Sequence, residues 1–268
     1  MRFDIVTLFP ELFVTFLATS IVGRAVSGGA LRASLKSPRD FGLGRHRAVD
    51  DTPYGGGSGM VMRVDCIVHC LEALDAEAMV SREGSALGAE EREEVVTEPS
   101  LPEPETAVRA HRVLLTPQGR RFDQRKAVEL VKHPRVALVC GRYEGFDERV
   151  RGFVDEELSL GDFVLTGGEV AAMAIIDACA RLLPGVLGNA DSSFHESHSP
   201  DMEGLLEYPQ YTRPVEFRGQ RVPEVLQNGN HAMIEAFRRA ESERRTRERR
   251  PDIWAQALAE RAAKDGRS

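Results

Sequence analysis

The run Arg135-Val136-Ala137-Leu138-Val139-Cys140, stopped by Gly141, constrains the fold more than any other part of the chain. It is short, apolar without alternation and ended by a glycine, so it reads as a strand buried on both faces. The flanking sequence alternates further strands with helices. Met1–Thr7 reads as a first strand, and Pro10 starts a helix whose inward face carries Leu12, Phe13, Phe16 and Leu17. Leu31–Leu35 is a further strand, stopped at Lys36-Ser37-Pro38 because proline removes a ladder donor. Arg112–Leu115 and Asp162–Leu165 are expected as two more strands. Helices are expected at Val64–Ala78, Gln124–Val131, Asp147–Phe153 and Glu169–Leu182, the last stopped by Pro184-Gly185. Strands alternating with helices give an α/β domain with a mainly parallel sheet over residues 1–187. Residues 188–204, rich in Ser, His, Asp and Pro, read as a flexible linker. Residues 205–268, with helices at Met233–Glu243 and Pro251–Ala263, read as a small helical C-terminal domain.

Two strand ends carry the chemistry. One is Cys140-Gly141-Arg142-Tyr143-Glu144-Gly145, the other Gly161-Asp162-Phe163-Val164-Leu165-Thr166-Gly167-Gly168-Glu169. Glycine lacks the Cβ that would keep a backbone away from a flat ligand. Neither a G-x-x-x-x-G-K-[ST] loop nor a G-x-G-x-x-G turn after the first strand accompanies them, which argues against nucleotide hydrolysis and dinucleotide-dependent redox chemistry. The expected pocket is one of backbone amides and carbonyls, for a ligand with a nucleoside part and little phosphate. The polar, glycine-rich stretch over 40–60 is too long for a passive turn and is expected to be functional.

Charge needs to be located before it is interpreted. The net charge of -7 is matched by an insert at 83–105 that holds eight Glu and one Arg, a solvated loop by composition. Without it the chain is neutral, so the acidic total does not argue against an RNA partner. Between Arg213 and Arg250 ten Arg face six Glu. These can hold phosphates, or form a solvated helix face laced with Glu–Arg pairs. The four cysteines, Cys66, Cys70, Cys140 and Cys179, give no disulfide framework and no metal-ligand spacing, so no metal site is expected. No signal peptide or membrane-length apolar run is evident, and a cytoplasmic protein with no membrane association is expected.

The motifs Asp50-Asp51-Thr52-Pro53-Tyr54-Gly55-Gly56-Gly57-Ser58-Gly59-Met60, Thr116-Pro117-Gln118-Gly119-Arg120, the two glycine segments, Arg181-Leu182-Leu183-Pro184-Gly185-Val186-Leu187-Gly188, Tyr211-Thr212-Arg213-Pro214 and Gly229-Asn230-His231 occur in this order. In order and spacing the chain resembles the bacterial tRNA (guanine-N1)-methyltransferases, a family of knotted methyltransferases that use S-adenosylmethionine. The resemblance implies a deep trefoil knot, an obligate homodimer with a shared active site, and tRNA guanosine 37 as target, with magnesium as a further requirement. It places the cofactor against Leu115, Thr116 and Pro117, against Gly141, Tyr143, Glu144 and Gly145, and against Leu160, Gly161, Asp162, Phe163, Val164, Leu165, Gly167 and Gly168. Substrate contacts would come from Glu144, Asp50, Tyr54, Arg213 and His231.

For catalysis the resemblance puts Arg181 at the base O6. Relatives carry an Asp-Ser pair in the linker whose Asp serves as general base. Counted from Gly188, Glu196 stands at that position here and Ser197 keeps the serine, with Asp191 or Asp201 reachable by loop sliding. Glu196 is therefore the expected base. The competing functions are a ribose 2′-O-methyltransferase of the same superfamily and an RNA-binding module without catalysis.

Overall fold

The computed structural model describes residues 1–86, 109–187 and 196–265. Of the insert expected over 83–105, the first four residues continue helix Val64–Ala86, while the rest and the alternative base Asp191 lie outside the described residues. The chain divides into two units, Met1–Val186 and Leu187–Ser268.

In the first unit the strands β1 (Arg2–Val6), β2 (Arg32–Lys36), β5 (His111–Arg121), β6 (Arg135–Cys140) and β7 (Glu156–Ser159) form one parallel sheet in the order β2-β1-β6-β5-β7. Every residue of β6 is buried, with Ile5 of β1 and Val113 of β5 opposite Leu138. Strand alternation sends Val136, Leu138 and Cys140 to one face, where they meet Phe13 of α1 (Glu11–Ala18), Val22 of α2 (Ser20–Ser27), Leu130 of α4 (Gln124–Leu130) and Ile175 and Ile176 of α5 (Glu169–Ala180). Ala137 and Val139 turn to the other face, onto Ile67, Leu71 and Leu74 of α3 (Val64–Ala86). Helices thus cover both faces, as a run of consecutive apolar residues requires.

Polar groups inside this core are paired. The fully buried Asp4 carboxylate accepts from the guanidinium groups of Arg2 and Arg135. Arg135 and Arg112 both reach Asp75 of α3, at 2.8 and 2.7 Å. These bonds lock α3 to β1, β5 and β6 at the end of the sheet away from Gly141, where an uncompensated charge would be costly.

Several elements differ from the sequence reading. Asp162–Leu165 is a loop, and the edge strand is Glu156–Ser159 immediately before it. The two glutamates conceal this strand from a hydrophobicity pattern. Their charges are met by Lys126 and His111 at Glu156 and by Arg151 at Glu157. Residues Glu148–Phe153 form a 3-10 helix rather than an α-helix, α3 extends beyond Ala78 to Ala86, and α2 went unread. β5 continues through Thr116-Pro117 to Arg121 across a register shift between Leu115 and Arg120. The stretch over 40–60 carries β3 (Asp50–Asp51), paired antiparallel with β4 (Val61–Met62).

The second unit holds the hairpin of β8 (Glu216–Phe217) and β9 (Gln220–Arg221) and the helices α6 (His231–Arg249) and α7 (Pro251–Asp265). Asn230 caps α6 by accepting from Met233 N–H at 3.2 Å. Inside, Thr246 Oγ1 accepts from Leu206 N–H at 2.9 Å, and Ser242 Oγ donates to Leu206 O at 2.6 Å. Glu203, at the end of the segment read as linker, accepts from Arg239 and Arg261, and Arg261 lies over the Trp254 ring. No helix among the described residues is long and apolar enough to cross a membrane.

Candidate active site

The C-terminal ends of β5, β6 and β7 and the loops that leave them enclose a cavity of ≈ 340 Å³. From β5 come Leu115, Thr116 and Pro117, and from the loop after β6 come Gly141, Tyr143, Glu144 and Gly145. The loop after β7 supplies Leu160, Gly161, Phe163, Val164, Leu165, Gly167 and Gly168. Asp162 belongs to the same loop but does not line the cavity. The ends of parallel strands are where α/β sheets place ligands, because neighbouring loops diverge there.

Close backbone approach sets the shape. Gly168 N–H donates to Gly141 O at 2.9 Å, and a Cβ on Gly168 would stand 2.8 Å from Cys140 Cα. On Gly141 a Cβ would meet the Phe146 ring at 2.6 Å. The turn out of β7 is tied by Ser159 Oγ, which donates to Gly161 O and accepts from Gly161 N–H. Phe163, Val164 and Leu165 are solvent-exposed, leaving an apolar rim on the cavity.

The glycine-rich strap over 55–60 runs along the loop after β6. Glu144 N–H donates to Met60 O at 3.0 Å, Met62 N–H to Gly145 O at 2.9 Å and Asp147 N–H to Met62 O at 2.9 Å. Asp50, in β3, is half-buried beside this strap, whereas Tyr54 at its start is fully exposed. Arg181 is the half-buried C-cap of α5 and is not part of the cavity lining.

In the second unit Glu196 is half-buried, and its carbonyl accepts from Ser199 N–H at 3.1 Å. Ser197 Oγ accepts from Glu207 N–H at 2.9 Å. Asp201, Arg213 and His231 are exposed, His231 opening α6.

Four charged or polar groups escaped the sequence reading although three lie on the cavity wall. Arg142 pairs with Glu169, the buried first residue of α5, and Arg151 donates to Gln118 Oε1 at 2.6 Å. Arg142 and Glu169 were within the glycine segments, but an acid at a helix start is also what the helix dipole favours, so its partner was not legible.

Among the described residues no group of three or more His, Cys, Asp or Glu could hold a metal ion. Burial pushes the Cys70 and Cys179 thiols up to about 12 and raises Cys140 well above its ordinary range. None of the three supplies a thiolate near neutral pH.

The cavity at the ends of β5, β6 and β7 is bounded in large part by glycine-rich backbone, and the sequence as a whole gives an independent observation. Residues 1–256 match the family model described as tRNA (Guanine-1)-methyltransferase TrmD. The chain belongs to this family. A relative from Sorangium cellulosum (strain So ce56), named tRNA (guanine-N(1)-)-methyltransferase, is 70% identical over 257 residues, covering 96% of this chain and 94% of its own. Proteins of the same name from Geobacter sulfurreducens and Anaeromyxobacter sp. (strain K) are each 49% identical, covering 96% and 95% of this chain and 92% and 91% of their own. The family match spans both units, including the whole cavity lining and Glu196.

Proposed function

We propose that this chain transfers a methyl group from S-adenosylmethionine to N1 of guanosine 37 in tRNA. The observation that carries this reading is the glycine-lined cavity at the ends of β5, β6 and β7, in a chain of the TrmD family. The form of the cavity supports a donor with a nucleoside part. Side chains at Gly141 and Gly168 would invade its walls, its rim is apolar, and no phosphate cradle is present. When bound, the sulfonium supplies an activated methyl group for in-line displacement.

The protein's part is then to hold partners in register and to handle one proton. Backbone groups of Leu160, Phe163 and Leu165 bind the adenine edge, and Glu144 holds the target guanine. Glu196 takes the N1 proton, and Arg181 stabilises the negative charge that grows on O6 as the proton leaves. Asp50, Tyr54, Arg213 and His231 contact the RNA, whose target base must leave its stack to be reached. Magnesium, which the resemblance also implies, is assigned no step.

The trefoil knot and a homodimer with shared active sites belong to the same proposal. In support of the knot, the chain returns from β7 to the end of β6, where Gly168 bonds Gly141, before α5 packs on α4 and α2. We also assign residues 1–187 to the donor, 188–204 to a linker that carries the base, and 205–268 to tRNA binding. A tRNA substrate supports a cytoplasmic location.

Unmodified tRNA with guanosine at 37, incubated with protein and donor and hydrolysed to nucleosides, is expected to yield 1-methylguanosine. A 2′-O-methylated nucleoside would move the reading to ribose methylation. Binding of tRNA with no methylated product would leave an RNA-binding module.

A further inference from the structure

Arg142 lines the cavity, yet the donor assigned to it carries a positive charge on sulfur. An arginine beside a sulfonium repels it unless a counter-charge is fixed nearby, and the repulsion grows as water is excluded. Glu169 is in the right place. Its side chain is buried, and Oε2 lies 2.9 Å from Arg142 Nη2. A Cβ on Gly167, itself part of the cavity wall, would stand 2.5 Å from Glu169 Oε2 and 2.3 Å from Arg142 Nε. The pair therefore sits directly behind the backbone that faces the ligand.

Each ion has a further hydrogen-bond partner. Thr7 Oγ1 donates to Glu169 Oε1 at 2.9 Å and accepts from Phe9 N–H at 3.0 Å, anchoring the carboxylate to the end of β1. Arg142 Nη1 donates to Thr166 O at 3.2 Å, and the guanidinium lies 4.5 Å from the Phe9 ring centroid. Contact between Arg142 and Glu169 is one of charge more than of hydrogen bonding, since Arg142 Nε and Glu169 Oε2 are buried without an aligned partner. The other cavity cation is already neutralised, Arg151 being paired with Glu148 and Glu157, while Asp147 is paired with Arg149. Glu144 is the remaining anion of the wall, its carboxylate lying against Gly59.

We propose that Glu169 is a specificity residue. Its buried carboxylate cancels the charge of Arg142, so that the cavity does not reject the cationic donor S-adenosylmethionine relative to its neutral product, S-adenosylhomocysteine. This rests on the cavity being the donor site, and it adds to that reading a cause of discrimination between substrate and product. A group that merely shaped the loops would affect both ligands alike. A charge-balancing group acts on their ratio.

The test is calorimetric titration of both ligands into the full-length protein and its variants. Glu169→Gln is expected to weaken S-adenosylmethionine relative to S-adenosylhomocysteine roughly tenfold, the order for one uncompensated charge beside a partly buried site. Arg142→Met is expected to shift the ratio the opposite way, and Glu169→Gln with Arg142→Met to restore it whatever the absolute affinities. Glu169→Asp keeps the charge and is expected to keep the ratio. If Glu169→Gln does not fold, Arg142→Met carries the same decision. Equal weakening of both ligands in a folded single variant overturns the proposal while leaving the donor site intact. Failure of the unaltered protein to bind either ligand overturns the donor site itself.

Discussion

Gly59 and Glu144 share one slot: a Cβ on Gly59 would stand 2.4 Å from Glu144 Cγ and Oε1. Gly59 also has φ +87, a backbone region that side chains resist. The strap over 55–60 is thus shaped to let the Glu144 carboxylate lie against it. Gly59→Ala is expected to cost about 1–3 kcal/mol in stability through backbone strain and to push Glu144 from its position. The expected kinetic result is a raised KM for tRNA, read from steady-state rates at saturating donor.

The proposed base gives a second outcome. Glu196→Gln keeps the shape and removes the proton acceptor, so kcat is expected to fall about 10²–10⁴-fold with donor binding unaltered. Glu196→Asp keeps a carboxylate and is expected to retain part of the rate. A Gln variant at full rate would move the proton to another group, with Asp201→Asn then the next substitution to assay.

The proposed sharing of active sites between protomers makes a prediction about mixtures. A chain with Gly168→Ala loses donor binding, and a chain with Glu196→Gln loses the base. If each site takes its donor loops from one protomer and its base from the other, mixed dimers contain one intact site. Co-expression is expected to restore roughly a quarter of wild-type activity, from random pairing in a twofold dimer. No recovery in verified mixed dimers would confine each site to one chain.

Much of this was legible because burial writes itself into sequence where it is complete. β6 was read from Arg135–Cys140 because both faces are covered, and Gly141 and Gly168 because their close approach leaves no room for a side chain. The strand expected at Asp162–Leu165 lies instead at Glu156–Ser159, because Glu156 and Glu157 look solvated until Lys126, His111 and Arg151 are seen beside them. The Arg142–Glu169 pair was hidden for the same reason. Ion pairs between distant segments leave no periodic trace.

The opposite end of the sheet from the cavity holds a pH-dependent contact. His133 stacks on His111, ring centroids 4.1 Å apart and planes 9° apart. Burial, with the charges of His111 and Lys126, lowers the His133 pKa below its ordinary value, against the smaller pull of Glu156 and Glu129. A depressed folded-state pKa means that the unfolded chain takes the proton more readily. The stabilisation is therefore complete above the unfolded pKa and lost as pH falls through the folded one. The thermal midpoint is expected to drop on acidification below about pH 6.5, and His133→Phe, which keeps the stacking, to flatten that drop. An unchanged pH profile in the variant would remove His133 as its source.

The whole mechanism requires the loops after β5, β6 and β7 to bind S-adenosylmethionine. Calorimetric titration of the donor into the wild type and into Gly168→Ala, whose added Cβ meets Cys140 Cα at 2.8 Å, tests it most directly. Saturable binding at one donor per chain is expected in the wild type, with its loss in a folded Gly168→Ala variant. Absence of heat with the wild type, or undiminished binding in the variant, would contradict it.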